Sequence, residues 1–224
     1  DGGAFLRQLR LSRPCETLYA VAPAYRGAYL AIQQTLRGLA GAWAGDRRLR
    51  ILEITAGPSE LPRQLGDLLP ADHIEYVLAH SDDETCARLQ AEYQEHPFVT
   101  VAKVDEDNLA ALAENALPER FDVVILRHWV HQARNPVAAL QMIARKLASG
   151  GLLLLAERYP DLSADFVSGI DPGWWYAGPG AKPVSRLQTP VAWKNGLEEL
   201  GWEGVETFVE PASAGLPGGC YLLV

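Results

Sequence analysis

What most constrains this chain is an alternation: short apolar runs, each followed by a stretch of helical periodicity, repeat between residues 49 and 156. Residues 49–54, 74–79, 98–101, 121–126 and 152–156 read as strands. A helix ending near Leu69 and helices over 83–95, 106–115 and 135–147 separate them. Such alternation implies a parallel sheet covered by helices on both faces. The fourth run, Phe121-Asp122-Val123-Val124-Ile125-Leu126, is almost wholly apolar, as a strand buried on both faces must be. Asn135 is a suitable N-cap with Pro136 at the first helical position, and Gly150-Gly151 is expected to end that helix and launch the fifth strand. Upstream, residues 19–44 carry Tyr29, Ile32, Leu36 and Leu39 at helical spacing. Residues 157–188 break the rhythm with Gly, Pro and two adjacent Trp. A last helix over 190–200 precedes two strands, 205–208 and 220–224, joined by a loop.

The 224 residues suit one domain with an appendage, and a 48% hydrophobic content supplies a sizeable core. A net charge of −8 argues against nucleic acid as a partner, because phosphate binding wants a basic face. No run reaches the roughly 18 apolar residues of a membrane span. The first residues lack the apolar core of a signal peptide. The chain opens on Asp1 rather than Met, so a longer parent is expected. Cys15, Cys86 and Cys220 are scattered, forming neither a disulfide framework nor a zinc site, and a reducing cytoplasm is the expected compartment.

In open α/β sheets ligands sit beyond the carboxyl ends of the strands. There the chain reads Leu52-Glu53-Ile54-Thr55-Ala56-Gly57-Pro58-Ser59. This resembles the acidic glycine-rich loop of S-adenosylmethionine (SAM)-dependent methyltransferases, Glu-x-Gly-x-Gly-x-Gly. Glu53 and Gly57 match it, whereas Thr55 and Ser59 stand at the first and third glycines. A β-branched Thr held at positive φ would cost about 1–3 kcal/mol, and Pro58 removes an amide donor. Read instead as an ordinary strand-to-helix turn, the segment makes Ser59 an N-cap. The second strand ends in His80, where methyltransferases carry an acid whose oxygens accept from both ribose hydroxyls; Asp82 and Asp83 come slightly late. Losing such charge-assisted bonds costs roughly 1.5–3 kcal/mol each. Asp105, after the third strand, matches the acid that lies near the adenine, or is a capping or solvated carboxylate.

A longer ordered set is similar to one family. Phe121 to Ile125, then His131, then Leu147 to Glu157 resemble the C-methyltransferase domain of modular polyketide synthases. Gly173-Trp174-Trp175, the stretch from Leu187 to Trp193, and Gly201-Trp202 follow in the family's order, and Tyr19 and Pro23 echo an upstream helix. The resemblance implies a class I methyltransferase fold: seven strands, mostly parallel, with a C-terminal antiparallel hairpin and helices on both faces. It implies C-methylation of the α-carbon of a β-ketoacyl thioester on an acyl carrier protein. His131 and Glu157 match the family's His–Glu pair, in which the His takes the α-proton. His128 stands where the family has Asn, and Trp174 and Trp175 read equally as lid, core or substrate contacts.

The departures at Thr55, Pro58, Ser59, His80 and His128 fall on cofactor and active-site loops, while the framework strands are intact. The expected protein is therefore a pseudo-methyltransferase domain of a polyketide synthase, with residues 1–45 a remnant of a lid or linker and 46–224 the core. Its degenerate cofactor site comprises Glu53, Thr55, Gly57, Ser59, His80, Asp105 and His128; no SAM is expected to be bound. Its partners are an acyl carrier protein and neighbouring domains, with no metal and no membrane. An active SAM-dependent C-methyltransferase, a docking module, and SAM-independent proton exchange at His131–Glu157 are the alternatives.

Overall fold

A computed structural model of the chain describes residues 23–104, 117–169, 172–176, 184–209 and 219–224. Asp105, Cys15, Tyr19 and the helix expected over 106–115 lie outside the described residues. Helix α1 (Pro23–Ala42) precedes β1 (Leu49–Thr55), α2 (Leu61–Gly66), β2 (Ile74–His80), α3 (Asp83–Glu92) and β3 (Val99–Lys103). Then come β4 (Phe121–Arg127), α4 (Pro136–Lys146), β5 (Leu147–Arg158), α5 (Leu162–Ser168) and the short strands β6 (Trp175–Tyr176) and β7 (Val184–Ser185). Helix α6 (Pro190–Glu199), β8 (Thr207–Phe208) and β9 (Cys220–Leu223) complete the order.

Seven strands form one sheet in the order β3-β2-β1-β4-β5-β9-β8. The first five are parallel, and β9 runs antiparallel to both β5 and β8. This is the class I methyltransferase topology, ending in the antiparallel pair that the sequence led us to expect. The order reverses between β1 and β4, the switch point at which open α/β sheets form their ligand crevice.

The period of two along each strand divides the core. Leu49 and Ile51 of β1 and Val123 and Ile125 of β4 join Ile32, Leu36, Leu61, Leu65 and Leu89 on the face of α1, α2 and α3. Leu52, Ile54, Val124 and Leu126 point the other way, against Leu140, Ile143, Trp193 and Leu197 of α4 and α6. Helix α1 thus belongs to the core: Ile32 is fully buried.

Side chains fix several element ends. As expected, Asn135 accepts from the Ala138 amide at the start of α4, with Pro136 in the first turn; Thr189, which the sequence reading did not name, caps α6 through Ala192. Gly150-Gly151 does not end α4. The helix stops at Lys146, β5 starts at Leu147, and the glycines lie within β5, where Phe121 pairs Leu147 but Val123 pairs Leu152. The extra residues bulge out, and Gly150 takes the φ of +71° that the bulge requires.

Truncating Ile32 should leave a cavity under the sheet. We expect Ile32→Ala to lose about 2–5 kcal/mol of unfolding free energy in urea titration; a loss under about 1 kcal/mol would show that α1 contributes little to the core.

Candidate functional site

The carboxyl ends of β1, β2, β4 and β5 bring two polar clusters together, one on each side of the sheet. Alternation puts Glu53, the fifth residue of β1, on the α1 face, beside Arg127 at the end of β4. Glu53 is completely buried, and both of its carboxylate oxygens are hydrogen-bonded. Its Oε1 pairs with Arg127 Nη1 at 2.8 Å. Its Oε2 accepts from Ser59 Oγ and from the Tyr76 hydroxyl, each at 2.7 Å. Arg127 in turn donates from Nη2 to the Pro58 carbonyl at 3.1 Å and lies 4.9 Å over the Tyr29 ring of α1. Tyr93, the cap residue after α3, donates to the Ser59 carbonyl. Burial first, then the Glu53 charge beside it, pushes the Tyr76 hydroxyl well above its ordinary pKa, so it stays a neutral donor. Tyr29 is likewise shifted upward, chiefly by burial.

The loop itself corrects one expectation. Thr55 does not adopt positive φ; it is the last residue of β1, and Gly57 does not use positive φ either. The Thr55 hydroxyl instead accepts from the Gly57 amide at 3.1 Å and donates to the Gly57 carbonyl at 3.0 Å, closing a turn that needs no glycine freedom. Ser59 is also not the cap residue of α2. That position is Glu60, while Ser59 Oγ accepts from the Leu61 amide at 3.3 Å as well as bonding Glu53.

His80, at the end of β2, is buried, and its Nδ1 accepts from the Asp82 amide at 3.0 Å. Asp82 caps α3 by accepting from Thr85, and Asp83 pairs with Lys103 at 2.6 Å. Both late carboxylates are thus committed to local structure.

The second cluster centres on the turn after β4. Among the described residues His128 alone of the non-glycines has positive φ, 53°. Its amide bonds the Ala156 carbonyl, so the chain kinks while still attached to β5. The kink begins the turn Val130–Gln132, which carries His131 to Glu157. His131 Nδ1 lies 2.6 Å from Glu157 Oε2, and the His131 amide donates to Oε1 at 3.3 Å. Trp174 sets its ring edge-to-face against the imidazole at 5.9 Å and donates from Nε1 to Asp165 at 2.8 Å. The expected His131–Glu157 contact is present, whereas Trp174 packs as a wall of the pair.

Arg127, Tyr76 and Arg186 were not singled out by sequence reasoning, and Tyr29 was read only as an apolar position of the first helix. The available signal for Arg127 was a cation directly after six nearly continuous apolar strand residues, a position that ends inside the fold. Arg186 carries no motif. It donates from Nη1 to the carbonyls of His131, Gln132 and Ala133, at 2.6 Å for the last, and from Nε to that of Gly173. Its guanidinium therefore ties the His131 turn to the Trp174 turn.

A methyltransferase-domain profile matches residues 4–207. The chain belongs to the methyltransferase domain family. Its sequence is 26% identical over 194 residues to the non-reducing polyketide synthase mapC of Penicillium roqueforti, covering 84% of this chain. It is 24% identical over 193 residues to the synthase ausA of Emericella nidulans. The chain spans 8% of the length of each of these relatives. Among solved structures it is similar to the CurJ carbon methyltransferase, with a TM-score of 0.81, 21% identity, and coverage of 97% of this chain and 60% of that one. The citrinin polyketide synthase CMeT domain gives a TM-score of 0.79 at 22% identity, covering 97% of this chain and 58% of that one. This methyltransferase domain thus shares its fold with the carbon-methyltransferase domains of CurJ and of the citrinin synthase, and its sequence with a segment of non-reducing polyketide synthases. Among its described residues no helix is long and apolar enough to cross a membrane.

The environment of His128 predicts a loss of stability toward acid. Burial, then the charges of Arg127 and Arg158, hold its pKa well below the ordinary 6.5. Between the depressed folded value and the unfolded one, the unfolded chain binds more protons, so stability falls as pH falls through that window. Asn tolerates positive φ and does not titrate. We expect His128→Asn to flatten the loss of unfolding free energy between about pH 7 and pH 5, measured by urea titration at each pH; an unchanged slope would move the sensitivity to other groups.

Proposed function

We propose that this is a polyketide-synthase C-methyltransferase domain that does not bind SAM productively and serves the synthase mainly as a structural domain. What carries this reading is the self-satisfied state of the cofactor loop. SAM presents an ammonium and a sulfonium, a carboxylate, two ribose hydroxyls and an adenine. Toward the cations, both Glu53 oxygens are already bonded, to Arg127, Ser59 and Tyr76. Toward the carboxylate, Pro58 has no amide hydrogen, and the Gly57 amide is taken by Thr55. Toward the ribose, an imidazole offers two nitrogens in place of two acidic oxygens, and His80 spends one on the Asp82 amide. The described residues do not fit the cofactor, and no methyl-transfer step is assigned to them.

The trans-methyltransferase CalH, which shares the fold at a TM-score of 0.69, is solved in complex with SAH, and that complex gives the active reading its standing. Isothermal titration with SAM decides between the two. We expect a dissociation constant weaker than about 10 μM, corresponding to roughly −7 kcal/mol; an equal or tighter value would overturn the proposal.

One observation favours a second reading, in which an acyl carrier protein presents a β-ketoacyl thioester to the His131–Glu157 pair. The pair is whole, at 2.6 Å and walled by Trp174. A carboxylate on Nδ1 orients the ring and favours the tautomer that leaves Nε2 as the basic nitrogen. Such a base could remove and return an α-proton, which needs no cofactor because the carbanion spreads onto two carbonyls. A general base contributes about 100- to 10,000-fold, so enzyme-dependent α-hydrogen exchange in heavy water, followed by mass spectrometry, should vanish in His131→Ala. Exchange that survives the substitution would remove His131 from this role.

A further inference from the structure

We propose that Arg127 is an internal occupant of the ligand crevice: its guanidinium supplies the cation that a bound ligand would otherwise bring to Glu53, and its removal reopens the site to small cationic ligands. The inference rests on the reading above and names the side chain responsible for it.

The argument begins with placement. The crevice of an open α/β sheet forms where the strand order reverses, here between β1 and β4. Thr55 and Arg127 are register partners across that gap, at the carboxyl ends of both strands. Arg127 therefore begins at the mouth of the crevice. Its side chain turns back along the α1 face to Glu53, two residues before Thr55, and bridges to the Pro58 carbonyl on the far side of the loop. One side chain thus touches the strand, the loop and, through Tyr29, the covering helix.

Charge supplies the second step. A fully buried carboxylate is tolerated only when it is paired and hydrogen-bonded. Ser59 and Tyr76 donate to Glu53 but bring no charge. Among the described residues Arg127 alone of the groups bonded to Glu53 is a cation, and with 6% side-chain exposure it is itself withdrawn from solvent. Guanidinium geometry explains the hold: its fan of N–H donors reaches a carboxylate and a carbonyl at once, as an ammonium on a flexible stem does not. A ligand must displace this contact before it can meet Glu53.

The consequence separates Arg127 from the other departures in the loop. Restoring residues by type, as in Thr55→Gly/Ser59→Gly/His80→Asp, leaves Glu53 paired with Arg127 and should leave SAM binding undetected. Arg127→Ser exposes an unpaired Glu53 and vacates the crevice. The experiment measures the melting temperature of the whole domain with guanidinium ion at about 20 mM, well below denaturing concentrations, and SAM binding by calorimetry. In Arg127→Ser, guanidinium should raise the melting temperature, and SAM should bind at least tenfold more tightly than to the parent. In the parent, guanidinium should give no rise. If Arg127→Ser does not fold, Arg127→Gln keeps donors toward Glu53 and Pro58 without the charge, and the same two titrations are made on it. A folded variant that responds to neither ligand overturns the inference while leaving the SAM-blind reading in place. Tight SAM binding by the unsubstituted domain overturns both.

Discussion

A carboxylate with no water around it must find a cation, and much of the order at the carboxyl edge of this sheet follows from that requirement at Glu53. Desolvating one ion of a pair costs several kcal/mol, and removing its partner typically destabilises by about 3–5 kcal/mol. The Glu53 carboxylate therefore commits Arg127, Ser59 and Tyr76 together. Through Arg127 it also reaches Pro58 and Tyr29, and Ser59 in turn is held by Tyr93. Four elements, β1, β2, β4 and α1, and the residue that caps the end of α3 are joined at one charge. A surface ion pair could not do this, since exposed pairs contribute about 0–1 kcal/mol and leave their partners mobile.

The two sides of the sheet edge answer to different demands. On the α1 face the polar groups satisfy one another and close the loop. On the other, the His131–Glu157 pair is held from three directions: Glu157 takes the ring and the amide, Arg186 takes the carbonyl, and Trp174 covers the ring edge. Orientation of that kind is what a base needs, and also what a packing motif leaves behind. The positive φ of His128 links the two, because the kink that lifts His131 toward Glu157 starts one residue after Arg127. The conformation costs on the order of 1–3 kcal/mol, which the bond from its amide to Ala156 and the contact of its ring with Tyr25 help to offset.

The framework was legible in the sequence because its signals are local. Apolar strand runs and the side-chain cap at Asn135 act within a few residues, so a local reading finds them. The Gly150-Gly151 step was misread for a related reason: the glycines break helical periodicity, but here they serve a bulge whose need arises from pairing with Phe121 and Val123 of a different strand. At the site, the departures at Thr55, Ser59 and His80 could be seen, but their conformations could not. Thr55 was expected to strain the loop and instead settles it, because the hydroxyl that replaces a glycine also bonds the Gly57 amide.

Arg127 was invisible for a deeper reason. Its meaning depends on Glu53, 74 positions earlier, and on the register that sets Thr55 beside it. A sequence motif records which residues a ligand would meet, but not which residues have taken the ligand's place. Substitutions that subtract contacts weaken a site in proportion to what they remove. A substitution that adds a buried counter-charge changes the resting state of the site itself, since the ligand must then break an existing ion pair as well as make its own. On the proposal made for Arg127, the loop is occupied as well as incomplete, and an inventory of missing glycines understates the distance between the two.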